Sequence, residues 1–319
     1  MAAHQRNISG AVNPALGHHE TAVRQHIQHA ERGVQAGFKT AQIAVIDTDH
    51  RQLELKRTLG LTGVRVSSSC DLEVILFVFA RALAEREGVP ILMHVAEMRN
   101  ERDLIERNIG PIPEDRSLIE YLHDAGFLSD QLVAAHVAHV DDDDIALLRQ
   151  RGVGVAHNPK ANSRATSGQS PAWRMLEAGV DIGLGTDGPM SSNQMDIINV
   201  MGYAAVVARN SGEPDSRRLP PYELVYLSTM GGARALDMEE RIGSLEVGKQ
   251  ADIIIIDSHA ANMQPMHDPY AMIAFAAYPQ NVRTTIVDGR IVVRDRVIQS
   301  VDLEAHAAEW AEVVREVAG

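Results

Sequence analysis

The stretch LVAAHVAHVDDDDIALLRQRGVGVAHN, residues 132–158, reads as a strand, a helix and a second strand. LVAAHV is an apolar run with His136 one residue before its end. DDDDIALLRQRG opens with a run of carboxylates, Asp141 to Asp144. Negative charge is favourable at a helix start, where unpaired N–H groups point outward. That reading is preferred to a calcium loop, because the EF-hand spacing is absent. GVGVAHN is apolar again, and His157 stands near its end. Two such strands joined through a helix by short connections imply a parallel pair.

The unit repeats in both directions. Toward the N-terminus, SLIEYLHDAG reads as a helix and PILMHV as a strand ending near His94. Before them, CDLEVILFVFARALAEREG (70–88) reads as a buried helix closed by Gly88, and GVRVS (63–67) and AQIAVID (41–47) as strands. Toward the C-terminus, PAWRMLEAG reads as a helix and VDIGLGTD as a strand ending at Asp187. SSNQMDIINVMGYAAVVARN and PPYELVYLSTMGGARALDM read as two further helices. Beyond them, residues 242–257 and 282–298 are β-like, and Asp288-Gly289 between apolar runs signals a hairpin. The expectation is an α/β chain with a (β/α)8 TIM-like barrel, N-terminally incomplete, and a small C-terminal β appendage. Its parts are an unassigned segment 1–40, a barrel over 41–240, a β unit over 241–300 and a C-terminal helix over 301–319.

Bulk composition narrows the function classes. The chain has 319 residues, is 45% hydrophobic and carries a formal charge of −13, which argues against an electrostatic nucleic-acid surface. No apolar run reaches the roughly 18 residues of a membrane span, and the first residues lack the charge-then-apolar order of a signal peptide. The single cysteine, Cys70, excludes an internal disulfide and suits a reducing cytoplasm.

Polar residues fall where a barrel does its chemistry, at the C-terminal ends of strands. His94, His136, His157 and Asp187 each stand at the end of an apolar run. Packing explains one buried histidine readily, but not this recurrence. Glu97 follows His94 by three residues. Strand side chains alternate faces, so the two share a site only if the strand stops between them.

Three blocks resemble the amidohydrolase superfamily: HVAE (94–97), AAHVAHVDDDDIALLRQRGVGVAHNPKANSR (134–164) and GLGTDGPMSSNQMD (183–196). The branch is that of aminohydrolases and chlorohydrolases of N-heterocycles. It includes methylthioadenosine/adenosylhomocysteine deaminases, guanine and cytosine deaminases, and triazine hydrolases. GSLEVGKQADIIIID and VRTTIVDGRIVV add the family's C-terminal β segment, so the resemblance runs from about residue 60 to about 300. It implies a hydrolase acting on a non-peptide carbon–nitrogen bond of a cyclic amidine, or on a ring halide. His94 resembles the fifth-strand metal ligand and Glu97 the proton shuttle. His136 resembles the sixth-strand histidine that orients and polarises the attacking water. Asp187 resembles the eighth-strand aspartate that binds the metal and takes the water's proton. His157 and Asn158 are expected to shape the pocket floor and, with His136, to form the substrate-binding set. The implied cofactor is a divalent metal, zinc or else iron.

Three other features are smaller. His139 reads as a surface residue leading into a helix, and residues 191–193 (SSN) as a cap for the next helix. PKANSR carries Ala161 where the family commonly has serine.

The resemblance also implies a His-x-His pair at the first strand, and no two histidines of this sequence are so spaced. His26 and His29 lie three apart and could share a helical face, but their surroundings read equally as a solvated helix. Six strands at most are legible, where a closed barrel has eight. The expectation is therefore a weakly held metal, since catalytic zinc sites generally use three protein ligands. A heterocyclic small molecule is the expected partner, with no nucleic acid or membrane. A homo-oligomer or a complementary N-terminal chain is the macromolecular partner to test. The competing reading is a non-catalytic or truncated amidohydrolase-like protein acting as a scaffold.

Overall fold

The computed structural model describes residues 81–318, apart from 82–83, 109, 212–214 and 216. The expected strands at 41–47 and 63–67, the segment 1–40, His26, His29, Cys70 and most of the helix expected over 70–88 lie outside the described residues.

Four parallel strands form the sheet that carries the site: β1 (Ile91–Val95), β2 (Leu132–His136), β3 (Gly154–His157) and β4 (Ile182–Leu184). Their spatial order equals their chain order, and every neighbouring pair is parallel. Helices fill each crossover: α1 (Glu101–Asn108) and α2 (Leu118–Asp124), then α3 (Asp142–Arg151), then α4 (Pro159–Ala165) and α5 (Ala172–Glu177). After β4 come α6 (Pro189–Ser192), α7 (Ile197–Asn210), α8 (Pro221–Leu227) and α9 (Met230–Ala235). A sheet wound in one direction without a switch in strand order is the pattern of a (β/α) barrel, not of a doubly wound sheet. Register sets the strand ends level: Val95 lies opposite His136, and His157 opposite Leu184.

Local chemistry explains the helices. In α3 the acidic run forms a capping box: Asp141 accepts from the Asp144 amide at 2.9 Å, and Asp144 accepts in return from the Asp141 amide. Gly152 ends this helix at φ 68°, where a side chain would be strained. Ser117 caps α2 in the same way with Glu120, and its hydroxyl also reaches Asp144. Asp144 is thus a buried carboxylate shared between two helix starts, and burial raises its pKa.

The core lies between the sheet and its helices. Leu132, Ala134 and Val155 from the strands meet Ile119, Leu148, Met175, Leu224 and Leu227 from the helices. Helix α9 lies close on β4. A Cβ built on Gly183 would stand 2.6 Å from the Gly232 Cα, so backbone occupies the space a side chain would need.

A second, antiparallel sheet follows: β5 (Ile253–Ile256), β6 (Val282–Val287), β7 (Arg290–Arg294) and β8 (Val297–Ile298). The expected hairpin is there, with Asp288 and Gly289 both at positive φ. Between β5 and β6, α10 (Pro269–Ala271) continues as a π turn, Met272–Ala276, against α7. Helix α11 (Leu303–Ala318) ends the described chain.

Two sequence expectations are corrected here. Residues 191–193 do not cap the next helix. They close α6, with Asn193 left-handed at φ 65°, and the cap of α7 is Asp196, which accepts from Ile198 N at 3.0 Å. The segment PPYELVYLSTMGGARALDM is two helices, α8 and α9, because Thr229 between them leaves helical geometry at ψ −96°.

Candidate active site

Strand β1 stops one residue after His94, and the chain turns sharply at Ala96, which is left-handed at φ 51°. This turn breaks the two-residue alternation of the strand and lets His94 and Glu97 face one place. The carboxylate of Glu101 clamps the turn. It accepts from the amides of Ala96 at 2.9 Å, Glu97 at 2.7 Å and Met98 at 3.3 Å. Glu101 is the first residue of α1, so the helix start that favours a carboxylate also brings it beneath the turn.

The end of β2 repeats the device. His136 and Val137 have φ of 74° and 46°, a rare conformation for a β-branched valine. The two turns bond to each other: Val137 N donates to Val95 O, and Ala138 N to Ala96 O. His136 is buried, and its ring stacks on His94 with centroids 5.1 Å apart. Its Nε2 lies 3.8 Å from a Glu97 oxygen. One ligand atom from each of His94, Glu97 and His136 lies within 4.8 Å of the others. The His136 Nε2 is buried without a hydrogen-bond partner among the described residues. A buried lone pair beside a second imidazole and a carboxylate suits a divalent cation or a water held beside one.

Asp187 ends the run after β4, again left-handed, at φ 57°. Its Oδ1 accepts from the Gly188 amide at 2.6 Å. It lines one cleft with Glu97, Ala161, Arg164 and Met190, but is not part of the three-residue cluster. Arg164 ties α4 to the segment after Asp187 by donating to the carbonyls of Met190 and Ser191.

His157 and Asn158 are buried at the end of β3. Burial, then the neighbouring His136, holds the His157 pKa down to about 4, so the ring is neutral. Asn158 braces β3 against the end of β4: a Cβ on Gly185 would stand 2.1 Å from the Asn158 Oδ1.

His139 departs from its expected surface position. The left-handed turn at His136 and Val137 carries it inward, where Nε2 meets the Ser167 carbonyl at 2.5 Å. Sequence reasoning also missed Glu101 and Asn162. The signal for Glu101 was a carboxylate at a helix start just after a strand-end turn. Asn162 had no distinguishing signal beyond PKANSR following a buried strand.

The model of the amidohydrolase family matches residues 69–292. The chain belongs to the amidohydrolase family. Among its relatives, a 5-methylthioadenosine/S-adenosylhomocysteine deaminase of Symbiobacterium thermophilum is 42% identical over 214 residues, 67% of this chain and 48% of that protein. One of the same description from Moorella thermoacetica is 31% identical over 288 residues, 86% of this chain and 65% of the relative. Among solved structures, a zinc-bound adenosine deaminase from Xanthomonas campestris superposes with a TM-score of 0.70 at 31% identity. That match covers 76% of this amidohydrolase chain and 55% of the neighbour. Atrazine chlorohydrolase from Arthrobacter aurescens, complexed with zinc, shares the fold at TM-score 0.68 and 24% identity, over 76% of this chain and 52% of that one. The chain spans about half the length of most of the curated relatives it matches.

Proposed function

We propose that this amidohydrolase is a metal-dependent hydrolase that removes an amino or halide substituent from a purine, pyrimidine or triazine-like ring. The observation that carries the proposal is the convergence of His94, Glu97 and His136 at adjacent strand ends, with the buried His136 Nε2 unpaired among the described residues. The family and the deaminase relatives support the reaction class.

In this reading His94 and Asp187 hold the metal, zinc or iron. A divalent cation there supplies water acidified enough to attack near neutral pH. His136 would orient that water through Nε2, which has no hydrogen-bond partner among the described residues. Glu97 would carry one proton from the attacking water to a ring nitrogen, and Asp187 would take the second and return it to a departing amine, whereas a halide would leave without one. The water oxygen bonds to the ring carbon, the carbon–nitrogen or carbon–halogen bond breaks, and ammonia or halide departs. His157, neutral because buried, and Asn158 shape the pocket floor without adding charge. A single cysteine in 319 residues supports a reducing compartment, the cytoplasm. Among the described residues no helix is long and apolar enough to cross a membrane.

The test is ammonia and chloride release across a panel of aminated and chlorinated heterocycles, with zinc or iron added. Release that is lost in Glu97→Gln supports the proposal. No release from any member at saturating metal refutes it, and would favour a non-catalytic role or dependence on a complementary chain.

A further inference from the structure

The buried polar chain behind His136 has no part in the chemistry proposed above. Asn162, on α4, is fully buried. Its Oδ1 lies 3.1 Å from His136 Nδ1, and its Nδ2 donates to the Ser167 hydroxyl at 3.1 Å. The Ser167 hydroxyl in turn points to the Asn162 backbone carbonyl at 3.4 Å, and the Ser167 carbonyl meets His139 Nε2. With Nδ2 engaged by Ser167, the amide turns its oxygen to the imidazole. An amide oxygen can only accept, so it selects the ring form with hydrogen on Nδ1 and a lone pair on Nε2.

We propose that Asn162, anchored by Ser167, is a positioning residue that fixes the tautomer of His136 and so presents the Nε2 lone pair to the site. The inference deepens the proposed role of His136 and rests on that reading for its catalytic meaning, but its structural content stands apart. Two observations support the assignment. Among the described residues a hydrogen on Nε2 would have only Glu97 to receive it, and 3.8 Å is beyond hydrogen-bond distance. Exchanging the oxygen and nitrogen of Asn162 would free Nδ1 to accept but leave that Nε2 hydrogen buried and unpaired.

The experiment is long-range proton–nitrogen NMR on the full ¹⁵N-labelled chain near neutral pH, with the His136 ring assigned by loss of its signals in His136→Gln. The wild type is expected to show Nδ1 protonated and Nε2 bare. Asn162→Asp keeps an acceptor and should keep that pattern. Asn162→Leu removes the acceptor and should yield a mixture or the opposite tautomer. If Asn162→Leu does not fold, Ser167→Ala serves in its place, because it frees the amide to turn over and should also yield a mixture. An Nε2-protonated ring in the wild type would overturn the proposal, as would an unchanged ring in Asn162→Leu. An unchanged ring in Ser167→Ala would overturn the anchoring. The readout needs no turnover, so a correct tautomer with no ammonia or halide release would sink the proposed activity and leave the role of Asn162 standing.

Discussion

Removing the Glu101 carboxylate tests how the site is held. Glu101→Ala deprives three amides of one acceptor pair, at Ala96, Glu97 and Met98. The first two bonds are part-buried, and the Ala96 residue is only 2% exposed. Hydrogen bonds to a charged group contribute about 1.5–3 kcal/mol each, and a buried amide left unpaired costs about 1–3 kcal/mol. The Met98 bond is long and exposed, and water replaces it. The expected loss is therefore about 2–4 kcal/mol, set by the Ala96 and Glu97 amides. Ala96 is held left-handed, so its turn relaxes once the clamp is gone, and Glu97 moves with it. A misplacement of about 1 Å can cost on the order of 10²-fold in rate, so turnover should fall well before the protein unfolds. Urea denaturation measures the first effect, and hydrogen exchange at residues 96–98 locates it. Glu101→Gln, which keeps one acceptor oxygen, should fall between the two. A Glu101→Ala protein within about 0.5 kcal/mol of wild type, with unchanged exchange at Ala96, would show that the clamp does not hold the turn.

Four further outcomes are expected. Glu97→Gln should lower turnover by about 10²–10⁴-fold while metal content stays near wild type, measured by steady-state kinetics and elemental analysis. The desalted chain should hold less than one zinc or iron per molecule, and a tightly bound stoichiometric ion would show that the missing His-x-His pair has been replaced, with His26 and His29 the first to mutate. Gly183→Ala should cost about 1–3 kcal/mol, since the new methyl meets the Gly232 backbone, and thermal melting reads it. His157 is held neutral, with its pKa down from 6.5 to about 4. The unfolded chain therefore takes up the proton first, and this contribution to stability, complete above about pH 6.5, is lost as pH falls toward 4. Between pH 7 and pH 5 that loss is about 2 kcal/mol, and urea titrations of His157→Gln should show the pH dependence reduced by that amount.

The alternation of strands and helices was legible because both periods were strong in the sequence. LVAAHV is buried nearly throughout, as a strand covered on both faces must be, and the run at Asp141 to Asp144 behaves as a helix start must. Caps further along were less legible: Asp196, not Ser191 or Ser192, starts α7, because the left-handed Asn193 had already closed α6. Helix α1 was missed, since ERDLIERN is strongly polar and buries no residue. His94, Glu97 and His136 were each readable from strand ends, and the structure brings them together. Glu101, Asn162 and Ser167 were not readable, because their partners are fixed by turns and by contacts far along the chain. Pattern reasoning sees the period of an element but not where a hydrogen bond across the fold will land.

The strand-end turns join these observations. A residue three positions after a strand histidine reaches the same site only if the backbone leaves the extended region between them. Ala96 supplies that departure after His94, and His136 and Val137 supply it one strand over. Each left-handed residue other than glycine costs about 1 kcal/mol or more, and here the cost is offset locally. The turns share hydrogen bonds from Val137 and Ala138 to Val95 and Ala96, and the Glu101 carboxylate holds the first from below. Glycine at Ala96 would remove the strain and also the restriction that keeps Glu97 aimed at His136. The strained residues therefore make the arrangement specific: the turn places a carboxylate 3.8 Å from a buried imidazole nitrogen that has no hydrogen-bond partner among the described residues.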